Sequence, residues 1–153
     1  MKFMYSLLII IEIVLMGICA VKSFGKKGKL AEIVLYYEIV AFVCGIFFWL
    51  SSFFPDIKVA TLCKGVKFAC YDWLVILLMY YTQYYTGLFK GIRAVKIAMI
   101  LFSAVDSFVM IANVWTHKVF TISEITNSDI IIEYVKDGFF YRAHFLYNYI
   151  VIV

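Results

Sequence analysis

At 153 residues and 17.8 kDa the chain has the length of an ordinary soluble domain, yet 65% of it is hydrophobic and only 16% charged. Soluble domains run at roughly 45–50% and 25%. A domain of this size buries only about 70% of its unfolded surface, so so much apolar area is expected to face lipid. A mean hydropathy of +0.96, with 15 Phe, 12 Tyr and a single Pro, excludes a disordered chain, a collagen-like repeat and a secreted disulfide scaffold.

The chain reads as a series of apolar runs. Phe3 to Val21 is about 19 residues, or roughly 28 Å of helix, which matches a hydrocarbon core of roughly 30 Å. Its apolar stretch is too long for a cleaved signal sequence and no small-x-small site follows, so it is expected to remain as an anchor. Lys22 to Lys29 is a tight basic connection holding four lysines and two glycines. The second run, Leu30 to Phe54, ends in aromatics and is stopped by Pro55-Asp56. A third extends from Leu62 to Leu88, with Lys64 and Lys67 snorkelling at its start and Tyr80, Tyr81, Tyr84 and Tyr85 as a belt at its end. After the basic link Phe89–Arg93, the fourth run occupies Ala94 to Trp115. Residues 116–142 form a long polar outer loop with no clear helix or strand pattern. Ala143 to Val153 is a partial fifth span.

Lysine and arginine divide evenly between the two sides, but those of one side crowd into the links 22–29 and 90–96. This density places those links in the cytoplasm and the N-terminus outside, in a bacterial plasma membrane. The net charge of +4 is dispersed in these short clusters rather than gathered on one solvated face, which argues against nucleic acid. Cys19, Cys44, Cys63 and Cys70 lie in or beside apolar runs, form no CxxC, and read as small buried side chains.

Four acids fall inside the runs. Glu12 and Asp106 are placed near mid-membrane, Glu38 toward the cytoplasmic side and Asp72 toward the outer side. A charged carboxylate at mid-bilayer costs about 2.5–3.5 kcal/mol, so each is expected to face the bundle interior and find partners. Candidate partners are Asn113, Gln83, Ser103, Ser107 and the tyrosines. Such acids either fix helix packing as hydrogen-bonded groups or form a proton or ligand site, and Asp106 ranks first. His117 follows the fourth run and His144 opens the fifth, both near the outer boundary. Two histidines without a third ligand imply no metal site. No phosphate-binding loop, dinucleotide fingerprint, zincin motif or nucleophile elbow is present. No catalytic residue, enzyme activity or cofactor is expected of this chain.

Ile97-Ala-Met-Ile-Leu-Phe-Ser-Ala-Val-Asp106-Ser107, running on through Asn113 and His117 to Phe120, and then Phe140-Tyr-Arg-Ala-His144-Phe-Leu-Tyr147, resembles the N-terminal seven-helix sensory region of bacterial histidine kinases and diguanylate cyclases. Lys67-Phe-Ala-Cys-Tyr-Asp-Trp73 fits the same scheme. Many members carry a proline in the fourth helix, near where this sequence has Asp106. The resemblance covers four helices and part of a fifth. It implies that further helices and a cytoplasmic output enzyme follow residue 153, most plausibly a diguanylate cyclase.

The expected fold is therefore all-α: an antiparallel membrane bundle of four full spans and a partial fifth. Gly17, Ala41, Gly45, Ala98 and Ser103 would allow close backbone approach. The expected function is a membrane-embedded input module for signal transduction. Its partners would be the lipid bilayer and a small-molecule signal, with a homodimer as one option. The competing expectation is a small transport or channel subunit whose path is lined by Glu12 and Asp106.

Overall fold

The computed structural model describes residues 2–51, 56–87, 93–125, 130–134 and 139–152. Pro55, the link residues Phe89 to Ile92, and the polar positions 126–129 and 135–138 lie outside the described residues. Among the described residues, five helices follow one another, α1 (Lys2–Ser23), α2 (Lys29–Ser51), α3 (Ile57–Thr86), α4 (Arg93–Thr116) and α5 (Phe139–Ile152). Between α4 and α5 come two strands, β1 (Phe120–Ile125) and β2 (Ile130–Tyr134). The class is helical, as the composition requires. Three helical segments, Ser6–Ser23, Lys29–Ser51 and Arg93–Thr116, are long and apolar enough to cross a membrane. Among the described residues α3 is not counted with them, because Lys58, Lys64, Lys67, Asp72 and a tyrosine-rich end lower its apolar balance.

Local chemistry sets the ends of α3. Asp56 caps its start, its Oδ1 accepting from the backbone N–H of Lys58 at 2.7 Å and of Val59 at 3.1 Å. The helix thus begins five residues before the apolar run does. Gly87 closes it in the left-handed conformation (φ 74°), donating its N–H to the carbonyl of Gln83. That region is cheap only for a residue without a Cβ.

The helices pack in sequence order, α1 on α2, α2 on α3 and α3 on α4, and α3 also meets β1 and α5. Small residues set the spacing, as anticipated at Gly17, against the Phe42 ring, and at Gly45, against Ile13. Ala98 is exposed and plays no such part. The tightest approach lies at Gly65, which the apolar pattern did not single out. A Cβ there would stand 2.4 Å from the Met110 carbonyl oxygen, so only glycine lets α3 and α4 come this close.

Residues 116–142 are not featureless. β1 and β2 pair antiparallel from Phe120↔Tyr134 to Ile125↔Ile130, with a bulge between Ile122 and Glu124. Val119, Phe120 and Ile122 are buried and close one end of the bundle against Ala60, Met110, Phe68, Val109 and Tyr141. The polar stretch therefore ends the core rather than hanging from it.

Elsewhere the surface is apolar. Leu8, Leu15, Val105 and Phe108 are all more than half exposed on α1 and α4. Cys44, Cys63 and Cys70 are buried free thiols, but Cys19 is exposed. Lys67 does not simply extend to the boundary: its ammonium sits 4.1 Å from the centre of the Phe48 ring and 5.5 Å from that of Tyr71.

Candidate functional site

Helix α5 is short, but one of its faces is polar. His144, Tyr147 and Asn148 stand at i, i+3 and i+4, which puts them on a single side of a 3.6-residue helix. That side is turned toward α3 and α4. His144 Nδ1 lies 2.5 Å from Asp106 Oδ2 on α4 and 3.3 Å from Asp72 Oδ1 on α3. Asn148 Nδ2 donates to the same Asp72 Oδ1 at 3.2 Å and lies 3.2 Å from His144 Nε2. One turn along, Tyr147 OH and Ser103 Oγ share a hydrogen bond of 2.7 Å, and Tyr147 also donates to the Met99 carbonyl at 3.3 Å.

The centre is closed to solvent. Relative exposure is 0% for Asp72, 5% for Asp106 and 3% for His144. One atom from each of these three residues lies within 4.8 Å of the others. Phe68 lies edge-on to His144, with ring centres 5.5 Å apart, and touches Phe120 of β1 on its other side. The hydrogen bonding around the centre is incomplete. Among the described residues, Asp72 Oδ2, Asn148 Oδ1 and Ser107 Oγ are buried without a hydrogen-bond partner, although such groups are normally satisfied. A cleft of about 280 Å³ reaches the centre between α3 and α5, lined by Phe68, Tyr71, Leu74 and Phe145 together with His144 and Asn148.

Two of the anticipated acids meet here and two do not. Asp72, expected toward the outer side, stands level with Asp106. The reason is the Asp56 cap, which starts α3 at Ile57 and puts Asp72 midway along it. His144, expected at the outer boundary, is buried at the same level. Asp106 lies ten residues, about 15 Å, from the end of α4, whereas His144 lies only about 8 Å from the start of α5. The buried residues of β1 occupy the difference. Glu12 contradicts the expectation that an acid in an apolar run turns inward, because it is exposed on α1. Glu38 is half-buried, with Oε2 buried and unpartnered, but it takes no part in the centre.

Asn113 is not a partner of the acids. Its Nδ2 donates to the Phe120 carbonyl at 2.8 Å and its Oδ1 accepts from the Val119 N–H at 2.9 Å. It is the clamp that holds β1 on α4. His117 is exposed with φ 50° and ends α4, its N–H bonding to the Asn113 carbonyl. Of the proposed partners, Ser103 pairs with Tyr147 rather than with an acid, and Gln83 Oε1 is buried without a partner.

Asn148 and the roles of Tyr147 and Ser103 escaped the sequence reading. The spacing of His144, Tyr147 and Asn148 was the available signal, and it was masked by the apolar residues between them. His144 has no further ligand-type residue beside it along the chain, and the fold supplies two carboxylates to it from other helices. No known family matches the chain, and no curated protein or solved structure matches it either.

Proposed function

We propose that this chain is a membrane-embedded sensory input module of a bacterial signal-transduction protein, with the Asp72–Asp106–His144 centre as its receiving element. One observation carries the reading: a closed polar centre joins α3, α4 and α5, and its members come from all three helices. A change in what the centre holds alters the balance of forces between those helices. A signal acts only through its different affinity for two helix arrangements, and a site shared by three helices supplies such a difference. The parent in this reading is a histidine kinase or diguanylate cyclase, whose output domain reads helix position.

The bilayer belongs to the proposal. The outward apolar side chains of α1 and α4 form a surface larger than a soluble monomer ordinarily exposes, and lipid is the partner that fits it. In this arrangement α3 is the fourth full span, with its charges and tyrosines turned to the core or the boundaries, and α5 is the partial fifth. Lys29 stands over the Tyr84 ring, so the lysine-rich turn and the end of α3 share one end of the bundle. By lysine density that end is cytoplasmic and the N-terminus is outside. Cysteine in place of Lys26, in a background without the native cysteines, is expected to resist impermeant thiol reagents in intact cells. Rapid labelling there would invert the topology.

The transport alternative relies on Glu12, which is exposed on α1 and takes no part in the centre. Spin labels at the ends of α4 and α5 are expected to report a changed distance in Asp106→Asn relative to the unmodified chain. Vesicles containing the chain should pass protons and cations no faster than empty ones. An unchanged distance together with clear ion flux would replace the sensory reading with the transport one.

A further inference from the structure

We infer that the Asp72–Asp106–His144 centre is a binding site for one divalent transition-metal cation, an inference that rests on the sensory reading and names what that centre receives. The donor set is two carboxylate oxygens and one imidazole nitrogen, contributed by three different helices. Carboxylate oxygen alone would suit magnesium or calcium, whereas imidazole shifts preference toward zinc, manganese, cobalt or iron.

Charge points the same way. An ionised group in a low-dielectric interior must be balanced nearby. Two ionised carboxylates, a neutral imidazole and a divalent cation sum to zero. A monovalent cation would leave an excess negative charge, and a trivalent one an excess positive charge.

Geometry is close to what coordination needs. Ligand atoms about 2.1 Å from one cation stand roughly 3.0–3.4 Å apart at right-angled or tetrahedral positions. His144 Nδ1 and Asp72 Oδ1 are already 3.3 Å apart. The His144–Asp106 contact of 2.5 Å would have to open by less than about 1 Å as the cation replaces the shared proton.

An independent observation is the set of unmet oxygens. Asp72 is fully buried, its Oδ1 faces His144, and its Oδ2 has no partner. Asn148, whose amide nitrogen already bonds Asp72, has an unpartnered Oδ1 on the same amide. Asp72 offers a second carboxylate oxygen, and a flip of the Asn148 amide would bring its oxygen to the side its nitrogen now occupies, completing a shell of four or five. The cleft between α3 and α5 has His144 and Asn148 in its lining.

The test uses the 153-residue chain, purified in detergent micelles and stripped with a chelator. Titration with Co²⁺ is followed by its ligand-field absorption, and titration with Zn²⁺ by calorimetry. The expected result is one ion per chain, a Co²⁺ spectrum of a four- or five-coordinate nitrogen–oxygen site, and no competition from Mg²⁺. Asp106→Asn and His144→Ala should each weaken binding by about 100-fold or more, and Asn148→Ala by about tenfold. His117→Ala, at the exposed end of α4, should leave it unchanged. Should a variant fail to fold, nitrogen hyperfine coupling to the bound ion in the unmodified chain still decides whether an imidazole is a ligand. A helical chain that binds no Co²⁺, binds it without nitrogen coupling, or binds it equally well in His144→Ala overturns the inference. Metal binding that leaves the α4–α5 spin-label distance unchanged would instead refute the sensory reading and leave the metal site standing. Asp106→Asn helix movement in a chain that binds no metal would do the reverse.

Discussion

Replacing His144 with leucine is expected to cost the metal-free chain about 3–5 kcal/mol of stability, the range for breaking a buried charged pair. The substitution removes the imidazole that faces both Asp72 and Asp106, and leaves two carboxylates at 0% and 5% exposure confronting each other. Hydrogen bonds within membranes average well below 1 kcal/mol, because the unfolded chain in lipid also finds partners. The larger figure is expected here because one imidazole faces two buried carboxylates at once, and its loss leaves both without it. The corollary is a rescue: Asp72→Asn with Asp106→Asn in the His144→Leu background should restore most of the loss, since neutral amides need no countercharge. This non-additivity identifies electrostatic coupling as the cause. Unfolding in mixed micelles by added anionic detergent measures all the variants. Equal stability of His144→Leu and the unmodified chain, or a triple variant no better than the single one, would show that the centre is not held by charge.

Asn113→Ala should be strongly damaging although it lies outside the centre. One side chain accepts from the Val119 N–H and donates to the Phe120 carbonyl, and both residues are fully buried. Alanine leaves two buried backbone groups unpaired at about 1–3 kcal/mol each, so a total of about 2–6 kcal/mol is expected. The loss should be local. β1 would release from the end of the bundle, and amide exchange over 119–122 should accelerate at least about thirtyfold, while the middle of α3 keeps its protection. Because Phe120 packs on Phe68, and Phe68 on His144, loosened β1 should also give chemical reagents access to the His144 imidazole. Unchanged exchange at Val119 and Phe120 would contradict the clamp.

The apolar excess and the run lengths determined by themselves that the chain is helical, because apolar stretches of about 20 residues have no other way to satisfy their backbone groups away from water. Local chemistry likewise located the turn at Lys22–Lys29 and the small residues Gly17 and Gly45, since these depend on neighbours along the chain. The sequence also singled out Glu12, Glu38, Asp72 and Asp106 as acids in apolar surroundings, and His144 as a residue of the outer boundary. It left undecided which of the polar residues meet. Glu12 and Asp106 looked alike in the sequence, yet Glu12 is exposed and Asp106 buried, because a helix's rotation is set by the helices packed against it and not by its own run of apolar residues. The depth of His144 depended on the volume that Val119, Phe120 and Ile122 occupy at the end of the bundle, and residues 116–142 carried no pattern strong enough to announce a buried strand. Gly65 mattered only because the Met110 carbonyl lies opposite it on α4. Composition and periodicity act along one chain segment at a time, whereas the centre is a contact among three segments separated by 34 and 38 positions, and only packing brings these to within hydrogen-bonding distance.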